Sequence, residues 1–308
     1  MRAPETPRTL VRSLKEPVGA AAPAVYVVHP GSLPAGVHQA LADALPPELA
    51  VAVLDLQEVE EYWHAALNKG QVDISIEEIA ARFARELSTL HAGRGPFVLV
   101  GWSFGGVLAL ALAERLGPEL QPDHLFLLDS IAPVDEFKQP DDELALEMLL
   151  AWFAMYLGAK RGKALRIDAE AFAGLSLEEG LARLLDAAIA GEVLQPGTPL
   201  VGLRKLYDTY VDGLYRNNRL TAPYAPQPTR LPLTLVKPER SLLPDSPTLG
   251  WDELAAGGLR VETCPGDHYT AISDPAAVAQ IAALVREELA PTPAEGAAEP
   301  LLARPASP

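Results

Sequence analysis

The sequence is poor in cysteine, since Cys264 is the only one among its 308 residues. A lone cysteine excludes an internal disulfide bond and fits a reducing compartment, so we expect a cytoplasmic protein with this thiol as a small buried group. Apolar runs long enough to span a membrane are absent, and the first residues lack the apolar core of a secretion signal. These absences argue against a disulfide scaffold, a membrane protein and an exported protein.

Metal-ligand spacings and positive charge are also scarce. The six histidines are scattered, and no pair has a spacing such as H-x-x-x-H. Only 25 lysines and arginines stand against 41 aspartates and glutamates, which gives a formal net charge of −16. A field of this sign repels nucleic acids and anionic membranes, so we expect neither as a partner and no bound metal.

The most informative stretch, residues 101–106, reads G-W-S-F-G-G. Apolar residues before it predict a buried strand, and the pattern after it predicts a helix. A strand, a G-x-S-x-G turn and a helix form a nucleophile elbow, in which glycines allow close backbone contact and the serine hydroxyl is exposed on a strained turn. The start of the helix adds N–H groups where an oxyanion would form. We therefore predict that Ser103 is a nucleophile.

Apolar runs alternate with helical patterns along the first part of the chain. Buried strands are predicted at residues 24–28, 51–56 and 124–129. Strands that alternate with helices form a parallel sheet through right-handed crossovers. The ligand of such a sheet lies at the carboxyl ends of its strands, which is where Ser32, Ser103 and Asp129 are placed.

A helical block then interrupts the sheet, and strands resume at residues 231–236 and 259–264. A helical insertion at this point is typical of a lid over the strand ends. The predicted organisation is a flexible N-terminal arm (1–22), the first part of an α/β core (23–133), a helical lid (134–228), the second part of the core (229–290) and a disordered tail (291–308).

A serine hydroxyl needs a base within hydrogen-bond reach, and the base needs a carboxylate that orients it. Only His124 and His268 follow Ser103, as the order serine, acid, histidine requires. His124 opens a strand at the end opposite to the nucleophile, whereas His268 lies in a loop after the last strand, so we predict His268 as the base. The residues alone leave three candidates for the acid, which are Asp129, Glu239 and Asp245.

Four segments of the sequence form a set: H-P-G-S (29–32), G-W-S-F-G-G (101–106), L-L-D-S (127–130) and G-D-H-Y (266–269). Together they resemble the type I thioesterase domains that end polyketide synthases and nonribosomal peptide synthetases, over residues 24–289. The resemblance implies an α/β-hydrolase fold with a mostly parallel central sheet and helices on both faces. It places the helical lid between the strand that ends at Asp129 and the strand that starts near Leu231.

The resemblance also implies the roles of the site residues. In this family the acid follows the strand after the elbow, which selects Asp129, and the backbone N–H groups of Phe104 and Ser32 would bind the oxyanion. Ser103 would take the acyl group from a thioester on the phosphopantetheine arm of a carrier protein, with His268 as base. The residues after Ser32 depart from the family, which often has further glycines and a tyrosine there.

The implied partner is an acyl or peptidyl carrier protein. Carriers in these systems are usually acidic, so a net charge of −16 would repel them unless a local basic patch receives them. Four basic residues inside the lid form a candidate docking patch: Lys160, Arg161, Lys163 and Arg166. A solvated loop between lid helices is the alternative interpretation. We expect no cofactor bound to the chain itself, and a monomer.

The predicted function is a thioesterase that releases a polyketide or peptide chain through a serine acyl-enzyme, by hydrolysis or macrocyclisation. Two other enzymes stay open, which are a trans-acting editing thioesterase that clears stalled carriers and a small-ester hydrolase. A hydrolase-fold binding protein without chemistry is the alternative from another class. The intact set of Ser103, His268 and a carboxylate argues against it.

Overall fold

The computed structural model describes residues 9–19, 21–67 and 72–290. Seven strands in these residues form one sheet. In chain order they are β1 (Val11–Lys15), β2 (Ala24–His29), β3 (Ala50–Asp55), β4 (Phe97–Trp102), β5 (His124–Leu128), β6 (Leu233–Arg240) and β7 (Leu259–Asp267).

The order of the strands across the sheet is β1-β3-β2-β4-β5-β6-β7. All neighbours pair in parallel except β1, which is antiparallel to β3. Strands β2 to β5 are buried along their whole length, as expected for short continuous apolar runs in a parallel sheet. Parallel pairing brings the carboxyl ends of these strands to one edge, so the residues that follow them become neighbours.

Eight α-helices connect or follow the strands in the described residues, and none of them is long and apolar enough to cross a membrane. They are α1 (Gln39–Ala44), α2 (Glu60–Leu67), α3 (Ile76–Leu90), α4 (Phe104–Arg115), α5 (Leu146–Lys160), α6 (Leu177–Ala190), α7 (Leu200–Thr221) and α8 (Pro275–Leu289). Several starts are fixed by side chains: Ser75 and Ser176 form capping boxes, and Asp274 caps α8 just before its first-turn proline.

The sheet separates two apolar layers because successive side chains of a strand point to opposite faces. Along β2, Val25 and Val27 belong to one layer and Tyr26 and Val28 to the other. Helices α3 and α4 cover the Tyr26 face, whereas α1, α8 and the helices α5 to α7 contribute to the layer on the Val25 face. This arrangement confirms the predicted α/β-hydrolase fold with a mostly parallel sheet and helices on both faces.

The helices α5, α6 and α7 all lie between β5 and β6, inside the segment predicted as a helical lid. The predicted N-terminal arm differs in part from the structure, because its residues 11–15 form the edge strand β1. Backbone pairing with β3 orders this segment, and the Lys15 ammonium donates to the carbonyls of Leu45 and Pro46 at the end of α1. The remainder of the predicted arm before residue 9, and the predicted tail 291–308, lie outside the described residues.

Candidate active site

The elbow between β4 and α4 places Ser103 in a strained conformation, with φ 55° and ψ −132°. Two glycines make this turn possible. A Cβ on Gly101 would lie 2.4 Å from the Cα of Gly106, and a Cβ on Gly105 would lie 2.1 Å from the carbonyl oxygen of Val28. Since no side chain fits at either contact, the sequence G-x-S-x-G is what allows β4, α4 and the end of β2 to meet.

The structure brings Ser103, His268 and Asp129 together, although they lie in three distant parts of the sequence. The Nε2 atom of His268 lies 3.0 Å from the Oγ of Ser103, and its Nδ1 lies 2.8 Å from Oδ2 of Asp129. Asp129 and His268 are each only 2% exposed, whereas Ser103 is half-buried. The geometry is that of a serine activated by an oriented imidazole.

The carboxylate of Asp129 is held by the loop that follows β6. The hydroxyl of Ser241 donates to Oδ1 at 2.6 Å, and the backbone N–H of Leu242 donates to Oδ2 at 3.2 Å. The other two candidate acids, Glu239 and Asp245, lie in the same region but are exposed and make no hydrogen bond to the imidazole. Of the three candidates, the structure therefore places Asp129 beside the base.

The imidazole of His268 is fixed by its own loop, which begins where β7 ends. The carboxylate of Asp267 accepts hydrogen bonds from the backbone N–H groups of Tyr269 and Thr270. The indole N–H of Trp102 donates to the carbonyl of His268 at 2.9 Å, and the two rings pack with their centroids 5.5 Å apart. The imidazole thus has little freedom to rotate away from Ser103.

His124, the histidine rejected as base, lies at the amino end of β5, where its Nε2 is 2.8 Å from the hydroxyl of Thr234. Its Nδ1 lies 3.4 Å from a carboxylate oxygen of Glu288. These contacts are at the opposite edge of the sheet from Ser103.

The two predicted oxyanion donors come from different elements. Phe104 is the first residue of α4, where a helix supplies no acceptor for its own N–H. Ser32 lies in the loop after β2 and lines the same cavity as Ser103. The side-chain amide of Gln57, which follows β3, donates to the carbonyl of Gly31 in that loop at 2.7 Å.

Two buried histidines support the loop that carries Ser32. The Nδ1 of His29 lies 3.0 Å from the Nε2 of His38, and the Nε2 of His29 lies 2.6 Å from the carbonyl oxygen of Leu33. Burial lowers the pKa of both imidazoles, and that of His38 falls well below its ordinary value. The pair is therefore neutral at neutral pH. Because the Leu33 carbonyl can only accept, His29 donates from Nε2 and its Nδ1 accepts from the Nε2–H of His38, and these two hydrogen bonds support the loop.

A cavity of about 470 Å³ opens at Ser103. Its walls come from the loop after β2, from α2, and from α5 and α7 of the helical insertion. Three tyrosines form the wall next to the base: the hydroxyl of Tyr269 donates to that of Tyr210 at 3.1 Å, and the ring of Tyr156 packs on both. This aromatic wall gives an acyl chain an apolar surface, whereas polar side chains such as Gln57, Arg216 and Asn217 line other parts of the cavity.

The four residues of the predicted docking patch are exposed at the end of α5 and in the following loop. The Lys160 ammonium lies 5.2 Å from the centre of the Tyr156 ring, one helical turn away. The Lys163 ammonium donates to the carbonyl of Glu192 at 2.9 Å and pairs with its carboxylate at 3.2 Å. Arg161 and Arg166 complete the patch, which thus begins one turn after a residue that lines the cavity.

Sequence reasoning missed several residues of this site. Ser241 orients Asp129, and Arg216 of α7 lines the cavity without having been singled out. A serine in a loop and an arginine on an amphipathic helix carry no local signal for such roles. Within the described residues, no group of three or more histidine, cysteine, aspartate or glutamate side chains is placed to hold a metal ion.

Comparisons with known proteins find a family of domains and several solved structures that this chain resembles. Residues 23–287 match the model of a family described as the thioesterase domain. The structure is similar to that of AB3403, a four-domain nonribosomal peptide synthetase bound to AMP and glycine, with 26% identity over 94% of this chain and a TM-score of 0.61. The chain spans only 21% of that synthetase.

Two isolated thioesterases are matched along their whole length. The NocB thioesterase domain, in a covalent complex with a fluorophosphonate nocardicin G analogue, is 25% identical, with 91% of this chain and 99% of that chain covered and a TM-score of 0.52. The RedJ thioesterase from the prodiginine pathway of Streptomyces coelicolor is 17% identical, with 94% and 99% covered and a TM-score of 0.55, and is similar in fold.

Proposed function

The chain belongs to the thioesterase domain family, and from this premise we propose that it releases an acyl chain from a carrier-protein thioester through a serine acyl-enzyme. The observation that carries the proposal is the 3.0 Å contact between Ser103 Oγ and His268 Nε2, beside a cavity walled in part by the helical insertion. A nucleophile alone would fit many ester hydrolases, but the family match and the similarity to part of a nonribosomal peptide synthetase favour a thioester on a carrier arm.

In the acylation step, Ser103 Oγ attacks the thioester carbonyl while His268 Nε2 takes its proton. The negative charge moves to the carbonyl oxygen, where the N–H groups of Phe104 and Ser32 would stabilise it. Asp129 holds the imidazole in the required tautomer and stabilises the imidazolium that forms. The intermediate then collapses, the carbon–sulfur bond breaks, and His268 returns the proton to the leaving thiolate.

In the second step, His268 takes a proton from an incoming nucleophile that attacks the serine ester. The bond between the acyl carbon and Ser103 Oγ then breaks, and His268 returns the proton to Oγ. Water would give a free acid, and a hydroxyl or amine within the acyl chain would give a ring. The half-buried Ser103 and the tyrosine wall limit the access of water, so the choice depends on how the chain folds inside the cavity. We propose hydrolysis or cyclisation by the same three residues.

We further propose that the patch Lys160, Arg161, Lys163 and Arg166 receives the acidic carrier protein. These residues are exposed, and Lys160 lies against Tyr156, a residue of the cavity wall. A cation cluster next to the cavity offsets the long-range repulsion that a net charge of −16 imposes on an acidic partner.

The first test is the intact mass of the protein after treatment with a fluorophosphonate, the class of reagent found covalently bound in the NocB domain. One adduct on the unsubstituted protein, absent from Ser103→Ala and His268→Ala, is the expected result. Acyl-pantetheine thioesters and oxygen esters of the same acids would then separate a thioesterase from a small-ester hydrolase. No adduct on the unsubstituted protein would contradict an activated serine.

The docking patch needs a separate test. Replacing all four basic residues by glutamine should slow acyl transfer from a carrier protein but leave acyl-pantetheine turnover unchanged. A matched variant with Arg12, Arg85, Arg115 and Arg286 replaced loses the same charge from exposed positions elsewhere. Equal slowing by the two variants would show that only the net charge matters, and it would contradict the proposal that this patch binds the carrier.

A further inference from the structure

Arg216 stands out among the arginines of α7 because it forms no ion pair in the described part of the chain. Arg204 pairs with Asp208, and Arg219 pairs with Asp141, each at 2.8 Å. Arg216 instead lines the cavity that contains Ser103, and its Nε atom is buried with no hydrogen-bond acceptor among the described residues. A buried donor without a partner is costly, so its presence in a ligand cavity calls for an acceptor.

The guanidinium is held in place by an aromatic ring and not by a carboxylate. It lies 4.2 Å from the centre of the ring of Tyr62, on α2. The Tyr62 hydroxyl donates to the side-chain oxygen of Asn217 at 2.7 Å, which fixes the ring against α7. Stacking on a ring positions the cation without neutralising it, so its charge stays available to a ligand.

The stacked pair of Arg216 and Tyr62 lies next to the loop of Ser32, one of the two predicted oxyanion donors. The Tyr62 ring packs against Gly31, one residue before Ser32, and its Cε1 would lie 3.4 Å from a Cβ at that glycine. Along α7, Tyr210 contacts the tyrosine beside the base, and Arg216 lies six residues, or about 9 Å of helix, farther on. A ligand held at Ser103 can therefore extend along α7 towards the guanidinium.

We propose that Arg216, stacked on Tyr62, binds an anionic oxygen group of the substrate, either a carboxylate on the acyl chain or the phosphate of its carrier arm. A guanidinium is suited to both, because its planar fork donates two parallel hydrogen bonds to a carboxylate or a phosphate. Arg216 would then be a specificity residue. The inference rests on the proposed thioesterase function, since it presumes that a thioester occupies this cavity.

The test measures binding in the Ser103→Ala background, so that the readout does not depend on turnover. One pair of ligands comprises N-acetylcysteamine half-thioesters of dicarboxylic acids from glutaric to suberic acid, and the matching ω-carboxamides. The other pair comprises one neutral acyl chain on phosphopantetheine and on pantetheine. Adding Arg216→Gln should weaken binding of the anionic member of one pair about tenfold or more and leave the neutral member within about twofold.

The pair that responds identifies the source of the anion, and a response in neither pair overturns the proposal. Arg204→Gln is the matched control, because this arginine lies on the same helix outside the cavity. The neutral ligands report whether the variant is folded. If Arg216→Gln does not fold, the test is the salt dependence of ligand binding to the Ser103→Ala protein. Recognition of the charge predicts that rising salt weakens binding of the anionic ligand and not of its neutral counterpart. Turnover of neutral thioesters by the unsubstituted protein tests the proposed function separately from Arg216.

Discussion

Ser241 donates a 2.6 Å hydrogen bond to Oδ1 of Asp129, the carboxylate oxygen that the imidazole of His268 does not contact. The two residues are 112 positions apart, and both are buried. Each oxygen of the carboxylate therefore has a donor, and the group cannot rotate without breaking a hydrogen bond. The loop after β6 thus does not supply the carboxylate beside His268 but orients it.

Removing this hydroxyl in Ser241→Ala should lower kcat by about 10- to 100-fold with little change in KM, because a hydrogen bond to a buried charge contributes about 1.5–3 kcal/mol. Ser241→Thr should restore most of the activity, since it keeps the donor. Steady-state turnover of an acyl-pantetheine thioester is the measurement. Ser273→Ala, which removes an exposed hydroxyl, is the control. Full activity in Ser241→Ala would show that the backbone N–H of Leu242 suffices.

The choice of Asp129 over its two rivals gives a sharper prediction. Asp129→Asn should lower kcat about 10⁴-fold, because an amide at this position favours the wrong imidazole tautomer. Glu239→Gln and Asp245→Asn remove the same charge from exposed positions nearby and should leave kcat unchanged. Turnover of the three variants is compared on one soluble thioester. A large loss in either control, with activity kept in Asp129→Asn, would reassign the acid.

The part of the site that could be predicted from sequence is the part built from neighbouring residues. The elbow at Ser103 needs only a buried strand, closely packed glycines and a helix, and all of these are adjacent in the chain. The order of serine, acid and histidine along the chain left two candidates for the base, and only His268 follows the carboxyl end of a strand. The residues could not choose Asp129, because pairing between β5 and β6 decides which carboxylate faces the imidazole.

The missed features depend on contacts between distant segments. The edge strand β1 is short and only partly buried, so its sequence has neither a long apolar run nor a clean alternation, and pairing with β3 is what orders it. Ser241 has its role only because its loop packs on Asp129. Arg216 is one of three arginines on α7, and its sequence does not show that it alone faces the cavity without an acidic partner.

The close approach at the elbow predicts that Gly105→Ala destabilises the protein. The new Cβ would lie 2.1 Å from the carbonyl oxygen and 3.0 Å from the carbonyl carbon of Val28, and both are backbone atoms that cannot move freely. We expect a loss of about 2 kcal/mol or more in the free energy of unfolding, measured by urea denaturation. Gly117→Ala is the control, because no atom lies within 4 Å of its added Cβ. Equal stability of the two variants would contradict this close packing of α4 against the end of β2.

The single thiol should be unreactive in the native protein. Cys264 is 3% exposed, and burial, with the nearby charge of Asp129, raises its pKa to about 12. At pH 8 only about one thiol in ten thousand is then a thiolate, the form that reacts. Iodoacetamide should therefore leave the native protein unmodified by intact mass and add one carbamidomethyl group after denaturation in urea. Rapid labelling without denaturant would show that this region opens readily.

The buried pair His29 and His38 predicts that stability falls in mild acid. Burial lowers the pKa of both imidazoles, so the folded state stays unprotonated where the unfolded chain, with pKa values near 6.5, binds protons. The unfolding free energy should be unaffected above about pH 7 and should drop below about pH 6.5, by up to about 1.4 kcal/mol per pH unit for each histidine. Urea denaturation between about pH 5 and pH 8 measures this slope.

Replacing one member of the pair separates its contribution from that of other titrating groups. The amide of His38→Gln can still hydrogen-bond His29 but cannot titrate, so the acid slope should become shallower by about one histidine. His64→Gln, at a side chain that is 55% exposed, should keep the slope of the unsubstituted protein. Because the pair supports the loop of Ser32, turnover should also be lost in acid before the protein unfolds globally. Identical slopes in all three proteins would mean that the folded pair takes up protons as readily as the unfolded chain.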